Sequence, residues 1–392
     1  MVTGANRGIG LEVVRQLSAL LAGAAGPDSP TATVILCSRS AAEGAAAAAA
    51  LNAALTTARA KSLGAGAESS VVVVPQQLDV TSVESCVRLS SKVCSGYGGI
   101  DVLINNAGFA HHLKTGYEQA RTCVDVNFLG TMNVLASLLP LAQPGARFIN
   151  VSSTVGQIGR RGGSDGDSDG DSDGDRTSSG GGGMGGCPLA VGAGGKGGQL
   201  SAELRRNLLA PDLTVEGLTA LVETFVEQAK RGEENNTGNG GEKKKKEEEE
   251  DEEKKEVDEW PESGYAVSKM ALTQLTRIMA KNHCGENGDT ASVSALSSFE
   301  VRRQEGGDSN GRLALLVAVC PGLVRTGMTD PFRASSTMTL SQSLAFWFVR
   351  WVAGKSAAAA AADIVFLAAE LPAERCDVYC GKFAQGRQIA AY

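Results

Sequence analysis

The sequence lacks the features that mark several large classes of protein. It has no run of about 18 uncharged apolar residues, the length a membrane-spanning helix needs. The best stretch, 346–371, is interrupted by Arg350, Lys355 and Asp363, and the alanine run 357–362 within it reads as a packed helix. No membrane partner is therefore expected. Basic clustering is missing too. The formal charge of −7 comes from two segments: 165–175 holds six Asp and no base, and 231–256 holds eleven acids against seven bases. The rest of the chain is nearly balanced, so no nucleic-acid partner is expected. The nine cysteines are scattered, and the closest two, Cys376 and Cys380, have no second pair at zinc-like spacing. No metal site is read, and the cysteines are taken as reduced thiols. The repeated Ser-Asp-Gly-Asp fails as a calcium loop, because the twelfth position counted from Asp165 is Arg176 rather than glutamate. No secretory leader is read, since the chain passes at once into a glycine-rich turn, so a cytoplasmic protein is expected and the sequons at Asn150 and Asn235 count as chance matches.

What the chain does have is alternation. Segments 33–37, 71–75, 102–105, 147–151 and 313–320 are short apolar runs of the kind buried parallel strands show. Segments 11–21, 41–61, 83–97 and 131–141 carry helical patterns between them. This order implies an α/β fold, a Rossmann-type doubly wound parallel sheet, in one domain over 1–392. Three stretches stand outside the pattern: 156–198, 232–256 and 285–311 are too polar and glycine-rich to bury a core, and are expected as disordered surface insertions. Between the first two lies a helical insertion, 200–230, with Leu218, Leu221, Val222, Phe225 and Val226 on one face.

The first chemistry is at the start of the chain, where Gly4, Asn6, Arg7, Gly8, Ile9 and Gly10 form a glycine turn that opens a helix. Such a turn lets the backbone approach a pyrophosphate, whose charge then sits on the helix N-terminus. An NAD site would place an acid at the end of the second strand, for the ribose 2′-OH. Here the strand ends on Arg39, and Arg7 lies in the turn. Two guanidinium groups suit a 2′-phosphate better than a hydroxyl, so the expected cofactor is NADP(H).

Taken together, Thr3-Gly4-x-x-x-Gly8-x-Gly10, Asp79-Val80, Asn105-Asn106-Ala107-Gly108, Asn127, Asn150-Val151-Ser152-Ser153, Tyr265-Ala-Val-Ser-Lys269 and Pro321-Gly322-Leu323-Val324-Arg325-Thr326 resemble, in order, the motifs of the short-chain dehydrogenase/reductase family. The resemblance implies a catalytic set of Ser153, Tyr265, Lys269 and Asn127. It adds Asp79, Val80, Asn106, Ala107, Gly108, Tyr265, Lys269, Val324 and Thr326 to the cofactor site, and puts Ser153 and Tyr265 against the substrate. Asn127 would hold a water that relays protons. Chemistry agrees in part: Tyr265 and Lys269 are four apart and share a helix face, and a neighbouring ammonium is expected to lower the tyrosine's ordinary pKa of about 10. Within the family the sequence is most similar to monomeric NADPH carbonyl reductases, whose helical insertion lies between the catalytic serine and tyrosine. That likeness implies a monomer acting on a small-molecule carbonyl substrate. A steroid, retinoid or other alcohol dehydrogenase, and a non-catalytic dinucleotide-binding protein, are the competing readings.

Two departures stand out. Only Met1 and Val2 precede the turn, whereas a strand runs about five or six residues; a start further upstream is expected. Leu323 occupies a place where many such reductases carry tryptophan, which leaves the substrate open.

Overall fold

The structure, a computed structural model, describes residues 1–25, 29–63, 70–110, 116–158, 200–237, 260–261, 263–284, 313–324 and 354–390. The insertions read at 156–198, 232–256 and 285–311 lie largely or wholly outside them, as does Thr326. The strands are β1 (Ala32–Ser38), β2 (Val71–Gln77), β3 (Ile100–Asn105), β4 (Ala142–Val151) and β5 (Leu315–Cys320), followed by the short β6 (Phe383–Gln385) and β7 (Gln388–Ala390). β1 pairs with β2, and β3 to β6 pair in sequence, all in parallel; β7 closes the edge antiparallel. β5 is buried along its whole length, as a strand covered by helices on both faces must be.

The two halves of the sheet meet at one residue. Val2 forms parallel bridges to Leu36 of β1 and to Ile104 of β3. Its N–H donates to Ile35 O at 2.9 Å, and its carbonyl accepts from Cys37 N at 2.9 Å. Val2, fully buried, thus lies at the centre of the sheet between β1 and β3.

Helices cover both faces. On one lie α1 (Gly8–Ala24), α2 (Ala41–Leu63) and helix Ala357–Val365, packed over Val34, Leu36, Ile104, Ile149, Val317 and their neighbours. On the other lie α3 (Val83–Tyr97), α4 (Tyr117–Val124), α5 (Gly130–Leu138) and α8 (Gly264–His283), over a core that includes Leu103, Phe128, Phe148 and Leu316. By length and composition the helical run Tyr117–Leu141 could cross a membrane, but over half of its apolar window is buried in this core.

The segment between the serine and the tyrosine forms α6 (Ala202–Leu209) and α7 (Val215–Thr237). Leu218, Val222, Phe225 and Val226 are buried as the pattern predicted, and Leu221 is partly so. Phe225 meets Trp260 edge to face, with ring centroids 5.9 Å apart. Arg121 of α4 ties Glu223 of α7 at 2.8 Å, and Arg277 of α8 donates to the carbonyls of Leu208 and Ala210 at the end of α6. The insertion therefore lies across α4 and α8.

One expectation is corrected. Cys284 and Cys380 are joined as a disulfide, so the nine cysteines are not all free thiols. The partners are 96 residues apart, a separation that carries no motif. The bond ties the end of α8 to the C-terminal segment, and closing so long a loop stabilises a fold by about 2–4 kcal/mol.

Candidate active site

The glycine turn is built by backbone conformation and close contact. Gly4 and Gly8 both adopt a φ of +60°, the left-handed region that favours glycine. A Cβ on Gly10 would stand 2.5 Å from Asn106 Nδ2 and 2.7 Å from Gly4 O, so no side chain fits there. Thr3 fastens the turn to the fourth motif: its Oγ1 accepts from the N–H groups of Asn106 and Ala107, each at 3.0 Å. Asn106 Nδ2 donates in return to the carbonyls of Thr3 and Gly4. The first turn of α1 has no acid, and no side chain caps it. Its orphan N–H groups and positive dipole end suit a pyrophosphate. Asp79 and Val80 follow β2; Asp79 Oδ1 accepts from Thr81 Oγ1 at 2.7 Å, and Val80 is buried against Gly130. Arg7 and Arg39 are exposed.

Three elements bring the reacting groups together. Ser153 follows β4 and caps a 3-10 turn, Thr154–Gly156, accepting from Val155 N. Tyr265 and Lys269 stand on the first turns of α8, whose start is capped by Ser263. Tyr265 hydrogen-bonds Ser153. Lys269 is buried and donates from Nζ to Val151 O at 2.8 Å; the same nitrogen lies 5.9 Å from the Tyr265 ring centre. Ser152 clasps the helix to the strand, its Oγ bonded to Lys269 O at 3.0 Å and Thr273 Oγ1 at 2.7 Å.

Asn127 sits in a π-helical turn, Asp125–Leu129, between α4 and α5; such turns often mark functional sites. It is fully buried. Its Nδ2 donates to Phe109 O and to Ser268 Oγ, and its Oδ1 accepts from Phe109 N. Both N–H bonds of the amide are thereby used, and they hold the loop after Gly108 beside α8. Gly108 faces Asn127 Oδ1 and Lys269 Nζ, which a Cβ would meet at 3.2 and 3.6 Å. Val324 bridges Lys355 near the late loop. Cys320 is a buried residue at the end of β5, and its sulfur accepts from Thr154 N and Gly322 N, both at 3.3 Å. Thr3, Ser152, Ser268 and Gly156 have roles here that the motif reading did not assign.

The electrostatics correct a second expectation. The Tyr265 phenol is pushed above its ordinary range: burial dominates, the Cys320 and Cys123 thiols add to the shift, and the Ser153 hydrogen bond works against it. Burial lowers Lys269 itself to about 8. At neutral pH the tyrosine is therefore a neutral acid beside a charged lysine.

Lys269 gives a pH prediction in which stability and activity move in opposite directions. Its folded pKa lies below the unfolded value of about 10.4. The unfolded chain then binds more protons between the two values, so this group's contribution to stability rises with pH from about 8 upward. Turnover that needs the charged lysine should instead fall above about 8. Urea unfolding and rate profiles at pH 7 to 10, for the protein and for Lys269→Met, test this; the variant should lose both slopes, and an unchanged rate profile would remove the role.

Comparison with known proteins agrees with this geometry. A short chain dehydrogenase family model matches residues 1–165. Carbonyl reductase (NADPH) 1 of Sus scrofa is 29% identical over 334 residues, covering 84% of this chain and 80% of that protein. Its Homo sapiens counterpart is 28% identical, over 84% and 83%. The structure of menthone neomenthol reductase from Mentha piperita superposes with a TM-score of 0.52 at 21% identity, covering 98% of this chain and 97% of that one, a likeness of fold. The family match holds the glycine turn, Asn127 and Ser153, while Tyr265 and Lys269 lie beyond it and yet complete the same site: the chain is similar to the short-chain dehydrogenases over its first 165 residues and to the NADPH carbonyl reductases over most of its length.

Proposed function

We propose that the protein reduces aldehydes, ketones or quinones to alcohols with NADPH. The observation that carries this reading is the Tyr265–Ser153 hydrogen bond, backed by the buried Lys269 ammonium and set beside a glycine turn with an uncapped helix start. NADPH, when bound, supplies the hydride to the carbonyl carbon. The carbonyl oxygen gains negative charge as its double bond breaks. Ser153 donates a hydrogen bond to that oxygen, and Tyr265 transfers its phenolic proton there. Lys269 stabilises the phenolate that remains. The neutral phenol is the protonation state from which reduction starts, and the exposed Arg7 and Arg39 suit the 2′-phosphate of NADPH. The relatives named for NADPH support the same cofactor.

The protein is further proposed to act as a monomer, because α6 and α7 lie across α4 and α8 and occupy a face that a second copy would otherwise reach.

The deciding experiment follows NADPH oxidation by the purified chain with a panel of quinones, ketones and aldehydes. Turnover of one of these classes is expected. Tight NADPH binding by folded protein with no turnover of any of them would overturn carbonyl reduction and leave a binding role.

A further inference from the structure

Sequence alone shows no carboxylate at the end of the second strand, yet the fold supplies one. Asn6, inside the glycine turn, donates from Nδ2 to Glu43 Oε2 at 2.7 Å. Glu43 stands in the first turn of α2, five residues after β1 ends at Ser38. Its place is fixed on two sides. Ser40 Oγ accepts from Glu43 N at 3.2 Å. The next residue, Gly44, is so close to the strand that a Cβ would meet Ser38 Cβ at 3.1 Å. Ser40-x-x-Glu43 has the spacing of a capping box, in which the acid turns back to the N–H of the capping serine. Here the carboxylate reaches across to the cofactor turn instead. Arg7 and Arg39 lie exposed on the same two loops. In this fold the end of the second strand faces the adenosine ribose, where an acid holds a 2′-hydroxyl and an arginine accommodates a 2′-phosphate.

We infer that Glu43 is a specificity-determining residue that weakens discrimination for the 2′-phosphate. The inference rests on the nicotinamide site proposed above. Arg7 and Arg39 attract the phosphate dianion; the Glu43 carboxylate, clamped by Asn6, repels it and offers an acceptor to a free 2′-hydroxyl. The site therefore takes both phosphorylated and unphosphorylated adenine dinucleotides, with a smaller preference than two arginines alone would give.

The test is calorimetric binding of 2′,5′-ADP, 5′-AMP, NADP⁺ and NAD⁺ to the full chain and to Glu43→Gln. Glutamine keeps an oxygen for Asn6 and removes only the charge. The variant is expected to bind 2′,5′-ADP and NADP⁺ about tenfold more tightly at low salt, with 5′-AMP unchanged and the gain shrinking as salt rises. Equal changes for the phosphorylated and unphosphorylated ligands, or none, would overturn the role of Glu43 while leaving the cofactor site standing. Failure of the unaltered chain to bind any dinucleotide would overturn the cofactor site itself, and this inference with it.

Discussion

Replacing Tyr265 with phenylalanine is expected to lower carbonyl turnover by about 10²–10⁴-fold, the range over which a positioned general acid contributes. NADPH affinity should stay within a few-fold, because the ring, the helix start and Lys269 all remain. The half-buried ring would lose only its hydroxyl, which among the described residues is tied to Ser153. Steady-state turnover measured beside NADPH fluorescence titration separates the two effects. Loss of binding along with turnover would mean that the substitution damaged the site as a whole. Turnover retained within about tenfold would place the proton donor elsewhere. Ser153→Ala removes a hydrogen bond to the developing oxyanion and not the proton, so its loss should be smaller.

Much of this site was legible in the sequence because its residues work close to their own backbone. The glycines of the turn are demanded by a left-handed φ at Gly4 and Gly8 and by the contact between Gly10 and Asn106. Tyr265 and Lys269 are one helical turn apart and need only a helix to meet. The strands were legible for a similar reason: a parallel strand buried on both faces must be apolar throughout, and β5 is. α3 (Val83–Tyr97) matches the expected range because Ser82 caps its start and Gly98, at a φ of +74°, ends it.

The remainder depends on contacts between segments far apart in the chain. Glu43 reads as an ordinary solvated acid in an alanine-rich helix until the fold sets α2 beside Asn6, 37 residues earlier. The Cys284–Cys380 bond depends on the end of α8 meeting the C-terminal segment. The Tyr265 phenol was misjudged because the spacing to Lys269 says nothing of burial, and desolvation pushes the phenol up, with the Ser153 hydrogen bond working against it. Nor does the sequence alone show that Val2 pairs on both sides, with Leu36 and with Ile104.

The second large effect is expected from a residue that touches no ligand. Gly156 ends the 3-10 turn that follows Ser153, and it packs directly on the backbone of α8. A Cβ there would stand 2.6 Å from the carbonyl carbon of Lys269 and 2.6 Å from Met270 N. Helix backbone cannot rotate aside as a side-chain tip can, so Gly156→Ala must push the serine turn and the tyrosine helix apart. Overpacking of this kind costs about 1–3 kcal/mol of stability. A shift of about 1 Å between Ser153 and Tyr265 is enough to cost on the order of 10²-fold in kcat/KM, since catalysis depends on both reaching one oxygen. Gly217→Ala in α7 is the matched control, because its Cβ would meet only Leu213 Cδ1, at 3.4 Å, and Thr214 Oγ1, at 3.5 Å; that variant should keep full activity. Urea unfolding of both variants gives the stability cost, and assays at substrate concentrations spanning KM give the catalytic one. If Gly156→Ala loses stability yet keeps kcat/KM within a few-fold, the serine turn can adjust independently of α8. The direct packing of Gly156 on Lys269 would then not be what sets the distance between Ser153 and Tyr265.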